Sequence, residues 1–148
     1  MLTEIFIFCL LSYLCGSIPF GVLLAKTQNM DIREHGSGNI GATNVARTMG
    51  KKAGLMTLAG DVLKGLLVVF AANQWFENTM ITALAGLSVF LGHLYSIFLK
   101  FKGGKGVATG IGVLSFAMPL STLCSAGVFA VCLEISGYVS LSSILAAI

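Results

Sequence analysis

Four stretches of this chain, residues 2 to 25, 53 to 73, 79 to 99 and 107 to 133, are apolar almost without interruption. At about 1.5 Å per helical residue, each is long enough to cross about 30 Å of hydrocarbon. Hydrophobic residues make up 56% of the 148 and charged residues only 10%, whereas a soluble domain carries about a quarter charged residues. The expectation is an all-α, polytopic membrane protein folded as one unit over residues 1–148. Disorder, nucleic-acid binding and a soluble enzyme core are excluded at the outset. A fifth apolar stretch, Tyr138 to Ile148, has eleven residues and cannot cross alone. The pattern therefore predicts four full transmembrane helices and the start of a fifth, in a chain that is either a fragment of a longer one or has its end in the membrane interface.

Residues 2 to 25 have no basic segment before them and no small-residue cleavage pattern after them, so they read as a span and not as a removed signal peptide. The charges are bunched. Lys26, Arg33, Arg47, Lys51 and Lys52 lie between the first and second spans, and Lys100, Lys102 and Lys105 between the third and fourth. Two spans separate these loops, so both emerge on one side. The opposite side receives Glu4, Glu77 and Glu134 and no lysine or arginine. The positive-inside rule places the basic loops in the cytoplasm and the N-terminus outside, with Trp75 as an interface anchor. Cys9, Cys15, Cys124 and Cys132 fall within apolar spans without paired spacing and read as small hydrophobes.

Exposed hydrogen-bonding chemistry belongs to the two loops, where backbone polar groups meet water. The first reads His35-Gly36-Ser37-Gly38-Asn39-Ile40-Gly41-Ala42-Thr43-Asn44-Val45-Ala46-Arg47. Its three glycines allow successive amides to converge on one point, the geometry of a phosphate nest. Ser37, Asn39, Thr43 and Asn44 add short polar side chains, and Arg47 adds a planar fork suited to phosphate or carboxylate. The second loop, Lys100-Phe101-Lys102-Gly103-Gly104-Lys105-Gly106-Val107, sets lysines among glycines directly before a helix, whose N-terminal amides also attract anions. The plain alternative for this loop is a solvated basic turn obeying the positive-inside rule.

Gly36, Gly38 and Gly41 also match a dinucleotide fingerprint, with Asp61 twenty residues beyond the last. That fingerprint requires a buried strand before it, and residues 26 to 35 are polar. Asp61 and Lys64 stand three apart on one helix and so share a face. They read either as a mutually satisfied pair orienting the first loop or as direct ligands of substrate. His93 reads more simply as a structural hydrogen-bonding residue. Gly16-Ser17-Ile18-Pro19-Phe20-Gly21 breaks the first span, leaving a groove for a lipid chain or merely a bend, and Pro119 reads as a kink. No metal-binding cluster, HxxxxD motif or loop thiol is present, so the residues on offer are anion binders without a covalent catalyst.

Together these motifs carry a family resemblance. The Gly16–Gly21 segment, the Gly36–Asn44 loop with Arg47, Asp61-Val62-Leu63-Lys64-Gly65, Gly92-His93, the Phe101–Thr109 loop and Gly137-Tyr138-Val139-Ser140-Leu141-Ser142 resemble, in order, the bacterial acyl-phosphate:glycerol-3-phosphate acyltransferases, the PlsY family. The resemblance implies a multi-pass enzyme of the bacterial inner membrane with its active face toward the cytoplasm. It would move an acyl group from acyl phosphate to the first hydroxyl of glycerol 3-phosphate in phospholipid biosynthesis, with membrane lipid as its medium and neither cofactor nor metal. The implied catalytic residues are Ser37, Arg47 and Lys105. Phosphate-binding roles fall to Gly36, Gly38, Asn39, Gly41, Thr43, Asn44, Lys102, Gly103, Gly104 and Ser140, and secondary roles to Asp61, Lys64 and His93.

Two departures accompany it. Ser96 stands where the family usually has proline. The family's further spans and its third cytoplasmic motif have no counterpart before Ile148, and if those residues complete the site, weak activity or none is expected of this polypeptide alone. The rival readings are an anion channel or transporter using the same loops to select phosphate, and a noncatalytic remnant. Transporter folds often contain internal repeats, and none is visible here beyond the glycine content of both loops.

Overall fold

A computed structural model of the protein describes residues 1–147. The described residues form eight α-helices and no strand: α1 (Leu2–Ser17), α2 (Phe20–Lys26), α3 (Ala42–Met49), α4 (Lys51–Phe76), α5 (Thr79–Leu94), α6 (Val107–Ala117), α7 (Pro119–Ser136) and α8 (Val139–Leu145). Two short 3-10 turns, Ile32–Glu34 and Ile97–Leu99, lie in the first and second loops. The helical, multi-span architecture expected from the apolar windows is the one observed.

The first window is a broken helix. Ile18 precedes proline and takes the extended conformation that position favours (φ −63°, ψ 115°), so α1 stops and α2 departs at 43°. α4 ends at Glu77, which is left-handed at φ 47°. The Asn78 side chain then accepts hydrogen bonds from the N–H groups of Met80 and Ile81 and starts α5. The resulting tight turn sits opposite the basic loops, with Trp75 largely exposed beside it.

Small residues set the helix contacts. A Cβ on Gly16 would strike the Val89 carbonyl, and one on Gly92 the Tyr13 carbonyl, so α1 and α5 meet backbone to backbone. Gly65 against Thr109 and Gly112 against Val62 join α4 to α6 in the same way. Such close approach is how helices associate in lipid, where burial of apolar surface offers little drive. A buried cluster of Val68, Ala72, Ala85 and Val89 fills the middle of the bundle.

The window from 107 to 133, expected to be one span, is two helices. Pro119 occupies the first turn of α7 and holds Met118 at φ −141°, ψ 66°, so α6 ends there instead of kinking. α6 begins level with Phe90 and Leu94 at the end of α5, and its Val113 reaches Gly86, where Val69 of α4 also lies. Its Phe116 stacks edge-on with Phe70, centroids 6.2 Å apart. Thus the short α6 climbs most of the way to the far ends of α4 and α5. An 18-residue apolar helix starting there, of mean hydropathy 1.5, is about 27 Å long, and most of it would run into water if it continued outward. Hydrocarbon accommodates it if α7 turns back, an arrangement that would bring α8 to the side of the two loops.

Candidate anion-binding site

The first loop owes its shape to Asn44, which is 2% exposed. Its amide group donates to the carbonyls of Ile32 (3.3 Å), His35 (3.0 Å) and Asn39 (2.9 Å), while its oxygen accepts the Ser37 N–H at 2.9 Å. All four bonds are internal, so Asn44 is the loop's organiser and not the phosphate ligand expected of it. Gly36 and Gly38 are left-handed, φ 60° and 71°, a conformation that side chains disfavour. They bend the chain so that Ser37 stands at the exposed crest. Asn39 Oδ1 accepts the Gly41 N–H at 2.8 Å, and Gly41 is the residue from which α3 starts. Gly41 therefore spends its own amide locally. The amides of Ala42 and Thr43 open α3 and have no intrahelical acceptor. Thr43 and Arg47 follow one turn apart on its exposed face.

At the loop's entry Asp31 accepts from the Arg33 backbone N–H (3.0 Å) and side chain (2.6 Å to Nη2). These hydrogen bonds hold its carboxyl down at about 2. Arg33 thereby stays charged and is paired within the loop. Arg47, Lys102 and Lys105 are exposed and have no carboxylate partner among the described residues.

The second loop folds onto the end of α5. The Gly103 N–H donates to the Leu94 carbonyl at 3.0 Å and the Gly104 N–H to the His93 carbonyl at 3.1 Å. The amides expected to hold phosphate are thus committed to protein carbonyls, and both glycines serve close packing instead: a Cβ at 103 would meet the His93 carbonyl, and one at 104 the imidazole. What the loop presents outward is the pair Lys102 and Lys105. Leu99, just before it, joins Val22, Ala25, Ile32, Ile40 and Val45 in one buried cluster. The two loops therefore share a single core on one face of the bundle.

Beneath them lie the ionisable groups of the spans. Lys64 Nζ is 2.8 Å from Asp61 Oδ1 and donates to the Ile18 carbonyl at 2.9 Å. His93 Nδ1 is 3.5 Å from the same Asp61 oxygen. With all three side chains at most 4% exposed, the paired, structural reading of Asp61 and Lys64 is the one the geometry favours. Ser96, in the place where proline was expected, donates to the Ser17 carbonyl at 2.6 Å. The polar sequence around both breaks carried that signal without naming the partners. Ser140 is exposed on α8, whereas Ser142 is fully buried and donates to the Tyr138 carbonyl at 2.9 Å.

Fold and site together define a multi-pass helical membrane protein whose unpaired cations and open amides gather on one polar face. Residues 6–148 match the family model described as glycerol-3-phosphate acyltransferase. The chain is 54% identical over 136 residues to the glycerol-3-phosphate acyltransferase of Geotalea daltonii, covering 92% of this chain and 70% of that one. It is 50% identical to the one from Geobacter sulfurreducens (99% and 75%) and 49% identical to the one from Bacillus subtilis (94% and 72%). The crystal structure of PlsY, an integral membrane glycerol 3-phosphate acyltransferase, in its glycerol 3-phosphate form superposes with a TM-score of 0.92 at 42% identity, over 97% of this chain and 72% of that one. Its lysophosphatidic acid form gives 0.89 at 41% identity, over 97% and 71%. The chain belongs to the glycerol-3-phosphate acyltransferase family. No observation favours the transporter reading.

Proposed function

We propose that this chain, an acyltransferase of glycerol 3-phosphate by family, takes its acyl group from acyl phosphate. The reaction lies on the face formed by the two loops, which the positive-inside rule assigns to the cytoplasm of a bacterial inner membrane. The observation that carries the reading is the shared core: Leu99 packs with Ile32, Ile40 and Val45, so two cationic loops stand side by side where two phosphorylated substrates must meet.

Acyl phosphate is a mixed anhydride and needs orientation and charge stabilisation more than covalent help. The first hydroxyl of glycerol 3-phosphate attacks the acyl carbonyl. An ester bond forms, the acyl–phosphate bond breaks, and the hydroxyl proton passes to a phosphate oxygen, giving lysophosphatidic acid and inorganic phosphate. Ser37, the Ala42 and Thr43 amides and Arg47 hold one phosphate and the developing oxyanion. Lys102 and Lys105 hold the other phosphate. Gly36, Gly38, Asn39 and Gly41 shape the first nest, and Gly103 and Gly104 let the second loop sit on α5. Ser140, exposed at the start of α8, joins the same face if α7 turns back. All of this belongs to a single transmembrane unit.

The test is phosphate release from acyl phosphate by purified membranes. Release that requires added glycerol 3-phosphate, with a raised KM for that substrate in Lys105→Met, supports the proposal. Phosphate uptake without product, or an unchanged KM, overturns it.

A further inference from the structure

At the break between α1 and α2 the helix cannot supply a donor for the Ile18 carbonyl, because the chain turns extended before Pro19. Lys64 reaches from α4 to supply it, at 2.9 Å, with the Phe20 ring 5.7 Å from the ammonium. From this break α2 leads into the first loop, and Gly21 packs directly on the Ile40 carbonyl. At the second loop the His93 carbonyl takes the Gly104 N–H, its imidazole lies against the Gly104 Cα, and Lys105 is the next residue. The two arms converge on one atom. Asp61 Oδ1 is 2.8 Å from Lys64 Nζ and 3.5 Å from His93 Nδ1, within ion-pair reach of both and with no aligned hydrogen-bond donor of its own, all deep in the bundle.

We propose that Asp61 is a positioning residue for the reaction: through Lys64 it holds the break that launches the first loop, and through His93 it holds the turn that carries Lys102 and Lys105. One buried carboxylate thereby sets the spacing of the two anion-binding loops without touching substrate. This rests on the reading of both loops as substrate sites.

Removing Asp61 alone strands a buried ammonium, so the informative variant replaces the pair with apolar side chains of similar size, Asp61→Leu with Lys64→Met, an exchange that buried ion pairs often tolerate. In a detergent-purified variant that retains its thermal transition, KM for glycerol 3-phosphate rises roughly tenfold while kcat at saturation changes much less, as expected when a binding loop is displaced by a fraction of an ångström. His93→Leu, which cuts the arm to the second loop, also raises KM, and combining all three substitutions adds nothing beyond the pair variant, because that variant has already removed the carboxylate on which the His93 arm depends. An unchanged KM in the folded pair variant, or effects that simply add, overturns the proposal. Should the pair variant fail to fold, His93→Leu leaves the ion pair in place and decides alone: a wild-type KM overturns it. Lys105→Met measured alongside separates the two readings. If it too leaves KM unchanged, the loop assignment fails. If it raises KM and the Asp61 variants do not, only the present inference fails.

Discussion

Asn44→Ala is the sharpest test of how the first loop is built. The substitution deletes four hydrogen bonds at once, three donated to the Ile32, His35 and Asn39 carbonyls and one accepted from the Ser37 N–H. A net value of about 1 kcal/mol per bond, discounted because the loop's outer groups can be rehydrated, gives about 3 kcal/mol. That is roughly two orders of magnitude in the equilibrium for opening the loop. The helices beneath rest on other contacts, so the global thermal transition moves little. Amide hydrogen exchange of the detergent-solubilised protein reads the effect directly: residues 36 to 41 should lose protection while α4 and α5 keep theirs. The acyltransferase assay should show a large fall in kcat/KM, because Ser37 is no longer held at the crest. Asn44→Asp keeps an acceptor for Ser37 but sets a carboxylate against three carbonyl oxygens, and should be at least as damaging. Unchanged exchange at residues 36 to 41 in Asn44→Ala would refute the reasoning, whatever happens to activity.

Gly112→Val drives a side chain into the Val62 carbonyl, a backbone obstacle that cannot swing aside, and should cost about 3 kcal/mol or more. Gly127→Val meets open space and should leave the thermal transition nearly in place; equal shifts would contradict the packing described. Labelling with a membrane-impermeant thiol reagent in a cysteine-free background should modify Tyr138→Cys from the same side as Lys52→Cys, and labelling from the side of Glu77→Cys would show that α7 does not turn back. The Asp31 carboxyl, held at about 2 by Arg33, has a folded value below its ordinary one. Its stabilisation is therefore complete above the ordinary carboxylate range and is lost as pH falls toward 2. Exchange protection of the Arg33 N–H should stay flat from roughly pH 5 to 8 and decline below roughly pH 4; a decline near neutrality would count against the pair.

How far the sequence could be read depends on the range of each interaction. Hydrocarbon imposes a length and a composition on any span, so the spans over 53 to 73 and 79 to 99 could be located from residue type alone, as could the grouping of lysines and arginines on one side. The break at Pro19 was legible for the same local reason. Asn44 was not, because a polar side chain in a glycine-rich loop looks alike whether it faces outward to an anion or inward to four backbone groups. The Gly103 and Gly104 amides misled likewise, since their acceptors are the final carbonyls of α5.

By itself, the order of residues determined that this chain crosses a membrane several times, that its cations gather on one side, and that its loops have the composition of phosphate sites. Tertiary structure decided which polar groups remain free to meet a ligand. It also turned one apolar window into α6 and α7, and linked two loops more than fifty residues apart through Leu99 and the Asp61 cluster. Burial and hydrogen-bond satisfaction belong to distant partners brought together in space, and only the folded chain chooses those partners.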